Sequence, residues 1–142
     1  MKKLISAISL MFVVAILAVA QVSQTVESQE VAGKVFELRT YKSTPGNLNK
    51  LLTRFRDHTM RIFEKHGMTN IGYWIPTDET ESADTLVYLL SHDSQEAAMN
   101  SWRAFSQDPE WQKVNTDSNA NGPILDSVQR KFMTAADFSQ MK

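Results

Sequence analysis

The chain has 142 residues, 42% hydrophobic and 22% charged, with 15 lysines and arginines against 16 aspartates and glutamates and no cysteine. That length holds one domain, and near-neutral charge without a basic block excludes a dedicated nucleic-acid binder, which neutralises phosphates with clustered cations. The missing cysteines exclude disulfides, thiolate zinc, iron–sulfur clusters and a cysteine nucleophile.

In chain order, residues 1–20 come first and read as a secretory signal peptide. Met1-Lys2-Lys3 is a positive start, Leu4 to Val19 is apolar except for Ser6 and Ser9, and Ala18-Val19-Ala20 supplies the small-residue exit. The rival reading is a retained anchor, but Leu4 to Ala20 spans only 17 residues, the lower limit for crossing a bilayer. Cleavage takes away Lys2 and Lys3 and leaves 13 cations against 16 carboxylates, a net charge of −3. The signal is bacterial in character and predicts a periplasmic or secreted protein, with no membrane attachment after cleavage. Residues 21–33 read as a flexible polar leader, and the folded domain is expected over 34–139.

Lys34 to Tyr41 alternates apolar and polar, the period of a strand, with Phe36, Leu38 and Thr40 on one face and Val35, Glu37, Arg39 and Tyr41 on the other. Ser43-Thr44-Pro45-Gly46 breaks it. Leu48, Leu51, Leu52, Phe55, Thr59, Ile62 and Phe63 then recur at spacings of three and four, predicting a helix closed by Gly67. Arg54, Arg56, Asp57, Arg61, Glu64 and Lys65 are assigned to its remaining surface. Thr69 to Ile75 is the second strand, Asp78 to Asp84 an acidic hairpin loop, and Thr85 to Ser91 the third strand. Asp93 and Glu96 have capping-box spacing, which starts a second helix near Ser94. Ala97, Ala98, Trp102 and Phe105 form its buried side. Asp108 and Pro109 restart a helical turn, and Ile124 to Met133 is the fourth strand.

Right-handed crossovers put both helices of this βαββαβ order on one side of a four-stranded sheet. Yet the third strand, Leu86-Val87-Tyr88-Leu89-Leu90, is apolar at every position and so on both faces. A bare face of that kind calls for cover, and a second copy of the chain is the economical one. If the Phe36/Leu38 face packs on the helices, then Glu37, Arg39 and Tyr41 point into the space between the copies. A charged pair beside apolar walls suits a small-molecule pocket, whereas a plain structural ion pair is the competing explanation. Tyr73 and Trp74 point to opposite faces, so one belongs to the core and one to the pocket; Tyr88 poses the same choice.

These residues resemble the NIPSNAP family. The match runs through Phe36-Glu37-Leu38-Arg39-Thr40-Tyr41, Pro45-Gly46, Phe63-Glu64-Lys65-His66-Gly67, Gly72-Tyr73-Trp74 and Leu86 to Leu90, then Trp102, Phe105, Asp108-Pro109-Glu110-Trp111 and Asp137-Phe138. The resemblance implies an α+β, ferredoxin-like subunit that pairs into a dimeric α/β barrel, a superfamily that includes cofactor-independent monooxygenases. It assigns no general catalytic residues. The family's better-known members are mitochondrial and vesicle-associated, a setting from which the signal peptide departs, so their partners do not transfer.

No histidine pair has the spacing of a helical metal site, so neither metal nor cofactor is expected. A Gly-x-Ser-x-Gly elbow and a phosphate-cradling loop are also missing. The leading expectation is an exported homodimer that binds a small apolar or aromatic molecule through Glu37, Arg39, Tyr41, Tyr73, Trp74 and Tyr88. The alternative is a cofactor-independent monooxygenase-like enzyme. There Arg39 would stabilise an enolate or phenolate and His66 or Glu37 would move the proton.

Overall fold

The computed structural model describes residues 33–142, so the expected signal peptide and all of the leader before Gly33 lie outside the described residues. Four strands, β1 (Val35–Ser43), β2 (Thr69–Trp74), β3 (Thr85–His92) and β4 (Leu125–Thr134), form one antiparallel sheet in the order β2-β3-β1-β4. The β1–β2 connection carries α1 (Leu48–Arg54) and α2 (Met60–Lys65), joined by a π-helical turn at Phe55–Thr59. The β3–β4 connection carries α3 (Gln95–Gln107) and α4 (Pro109–Ser118). No helix among the described residues is long and apolar enough to cross a membrane.

Local chemistry explains the boundaries. Gly46 and Gly67 take positive φ values of 75°, where a Cβ would be strained, and so close the β1 turn and the α2 end. Asp108 caps α4 by accepting from the Glu110 N–H at 2.8 Å, with Pro109 at the first position. The start of α3 differs from expectation. Ser94 is its cap, accepting from the Ala97 N–H at 3.0 Å, whereas Asp93 turns outward to Lys34 at 2.7 Å. Ser94 takes the extended backbone conformation that a cap requires, and its short hydroxyl reaches the third residue on.

The polarity of β1 is the reverse of the arrangement considered above. Glu37, Arg39 and Tyr41 lie under the helices, paired in register with Leu90, Tyr88 and Leu86 of β3, while Phe36, Leu38 and Thr40 face the other way. Side chains 55 and 65 residues away supply the reason: His92 and Trp102 meet the Glu37 carboxylate and make its complete burial tolerable. The core below the helices is Tyr41, Leu51, Phe55, Ile62, Phe63, Met68, Leu86, Tyr88, Leu90, Phe105 and Ile124.

Candidate functional site

Glu37 is fully buried. One oxygen accepts from Arg39 Nη1 at 2.8 Å; the other accepts from Trp102 Nε1 at 2.7 Å and from His92 Nε2 at 3.0 Å. Burial pushes its carboxyl up, but the bonds from His92 and Trp102 and the Arg39 charge outweigh that and hold it below the usual glutamate value. An ionised carboxylate only accepts, so His92 Nε2 carries the proton, and buried Nδ1 is the ring nitrogen without a partner. Arg39 lies 4.0 Å over the Trp102 ring and 5.4 Å from the Tyr41 ring centre. Burial pulls its proton affinity down, but Tyr41, Tyr88 and Glu37 raise it overall. So held, Glu37 is a weak base.

Tyr41 connects this cluster to a cavity of about 110 Å³ between sheet and helices. Tyr41, Phe55, Phe63, Phe105 and Trp111 give it aromatic walls, Thr59, Asn115, Asn119 and Leu125 complete it, and among the described residues Arg54 is its only ionised lining residue. Arg54 also lines a groove of about 650 Å³ between α1 and α4, with Lys50, His58, Glu110, Lys113 and Asp117 around it.

Arg54 was expected on the helix surface and is instead 5% exposed. Its Nη1 donates to Ser118 Oγ at 3.2 Å and to Asn115 Oδ1 at 3.5 Å, and its guanidinium lies 5.2 Å from the Trp111 ring centre. Desolvation lowers its proton affinity, with Tyr41 and Tyr88 opposing in part. The π turn that follows fixes this position: Thr59 Oγ1 donates to the Arg54 carbonyl at 3.2 Å across the widened turn. Such turns are frequent at functional sites. The sequence signal was present but faint: Arg54 stands three residues after Leu51, inside the apolar stripe.

Of the six residues expected to bind a ligand, Glu37, Arg39, Tyr41, Tyr73 and Tyr88 come together on the helix side, and only Tyr41 of these is on the cavity wall. Tyr73 stacks on Tyr88 at 5.3 Å, and burial, with the nearby Glu64 charge, raises its hydroxyl above the usual tyrosine value. Trp74 is on the opposite face, 52% exposed, with its ring lying over Gly72. His66 Nε2 contacts Asp108 Oδ2 at 2.6 Å, beside Lys65. Lys65 and His66 hold the Asp108 carboxyl well below its usual range. Neither His66 nor Glu37 lines the cavity. No group of three histidines or carboxylates among the described residues is placed to hold a metal ion.

A four-stranded antiparallel sheet with paired helices on one side and a polar–aromatic site beneath them defines a ferredoxin-like α+β domain. The NIPSNAP family model matches residues 36–140, and the chain belongs to that family. Among solved structures it is similar to an uncharacterised NIPSNAP-like domain protein from Burkholderia xenovorans, at 20% identity and TM-score 0.66, covering 76% of this chain and 90% of that one. A NIPSNAP family protein from Agrobacterium tumefaciens gives 17% identity and TM-score 0.67 over 77% of this chain and 99% of its own. SnoaB, a cofactor-independent oxygenase from Streptomyces nogalater, shares the fold at 13% identity and TM-score 0.51, covering 77% and 99%. No curated protein matches the chain.

Proposed function

We propose that this NIPSNAP protein is an exported homodimer that holds a small apolar or aromatic molecule between its sheet and helices. The observation that carries the reading is the aromatic cavity with one buried cation on its wall, open ground for a ligand that stacks and is oriented by charge. Glu37, Arg39, His92 and Trp102 are the rigid floor that fixes Tyr41 on that wall. Export rests on the sequence of residues 1–20. Pairing rests on the second sheet face, where Leu38, Val87 and Leu89 are partly exposed around Trp74.

The second reading, cofactor-independent oxygenase chemistry, draws on the likeness to SnoaB, a cofactor-independent oxygenase, and on a cation able to stabilise an enolate or phenolate. Among the described residues the cavity's lining has no carboxylate or imidazole to take the proton, which favours binding over turnover. Saturation-transfer NMR with benzamide and benzoate tests the main reading. Transfer to either probe, lost on replacing cavity-lining Leu125 by Trp, is expected. No transfer from the folded wild type to any aromatic probe contradicts it.

A further inference from the structure

We infer that Arg54 is the anchor for an organic carboxylate, whose apolar body lies in the aromatic cavity or along the groove between α1 and α4. The inference rests on the reading that this space takes a small molecule and adds the ligand's chemical class.

A guanidinium that is 5% exposed has surrendered most of its hydration, and buried charges are ordinarily paired. Among the described residues no carboxylate lies within 4.0 Å of Arg54; its bonds run from Nη1 to the neutral oxygens of Asn115 and Ser118. Its Nε is buried without a partner. The edge made by Nε and Nη2 is the one that grips a carboxylate with two parallel bonds. The carboxylates of the groove are committed elsewhere: Asp117 to Lys113 at 2.5 Å, and Glu110 to Arg61 and Lys65. Lys50 and His58 stand on the same groove. An incoming anion therefore meets a surface whose negative groups are already neutralised.

Size and wall chemistry choose the rest of the ligand. The inner cavity, about 110 Å³, approaches the ~150 Å³ of an engineered protein cavity that holds benzene. Trp111 and Phe105, 4.4 Å apart between ring centres, line the cavity beside Arg54. The groove of about 650 Å³ is within the range that drug-sized ligands occupy. An acid with a flat or extended apolar body satisfies both parts; a bare inorganic anion satisfies only the first.

The test is saturation-transfer NMR with competition at low ionic strength, using benzoate, its neutral relative benzamide, and inorganic phosphate. Wild-type protein should bind benzoate at least tenfold more tightly than either other probe. Arg54→Gln should remove the preference for benzoate over benzamide, and Arg54→Lys should restore part of it. Asn115→Asp supplies the missing anion internally, so it should raise the melting temperature of the ligand-free protein and abolish the benzoate preference. Equal affinity for benzoate and benzamide overturns the carboxylate assignment while leaving the cavity reading standing. Benzoate binding unchanged in folded Arg54→Gln, a lower melting temperature in Asn115→Asp, or phosphate binding equal to benzoate binding also overturns it. Binding of none of the three defeats both readings.

Discussion

At the scale of single residues, Glu37 is tightly constrained on the helix side of the sheet, because three donors from three elements converge on it. Glu37→Ala leaves Arg39, the His92 N–H and the Trp102 N–H without their acceptor. Breaking a buried pair in this way costs about 3–5 kcal/mol. Glu37→Gln keeps an acceptor oxygen and should cost less, and urea denaturation at pH 7 ranks the two. The same group sets an acid limit. Its folded-state value lies below the usual 4.5, so its stabilisation is fully present well above that pH and is lost as the pH falls through the folded value. Asp108, also depressed, adds to the loss from the same side. Melting temperature between pH 7 and pH 3 should therefore fall below about pH 4.5, and less steeply in Glu37→Gln than in wild type. A profile of equal slope in both would assign the acid loss elsewhere.

At the scale of elements, caps and turns make separable predictions. Ser94→Ala removes the α3 cap and should cost about 1 kcal/mol. Asp93→Ala loses only an exposed contact with Lys34 and should cost less; thermal melts of the two variants decide between the residues as cap. Much at this level was legible. The succession of elements along the chain, the α4 cap and the glycine that ends α2 follow from alternation, spacing and backbone freedom, all of them local properties. The face of β1 was not. Alternation divides Phe36-Leu38-Thr40 from Glu37-Arg39-Tyr41, but which set is covered depends on His92 and Trp102, partners that no local pattern reveals. The π turn was invisible for a related reason: one added residue in a wide apolar stripe leaves the three-and-four spacing intact. The buried cation of the site left only the faint signal of its place three residues after Leu51.

At the scale of the whole molecule, the sheet face away from the helices is the surface on which the proposed pairing rests. Trp74 lies over Gly72, where an added Cβ would fall 2.5 Å from the indole, so the ring is flat against the sheet. Partly exposed Leu38, Val87 and Leu89 complete an apolar surface that a twofold partner would cover. Leu89→Glu places a charge at its centre without touching the helix-side core. It should convert dimer to monomer in sedimentation velocity while the far-ultraviolet dichroism of the wild type is retained. A wild type that is already monomeric removes the pairing from the account.

Native mass spectrometry of the purified protein tests the central claim most directly, because subunit number and retained small molecule are read from one spectrum. The account predicts a species of twice the subunit mass that gains discrete increments when benzoate is added. A single-subunit species at micromolar concentration that stays free of adduct would contradict it.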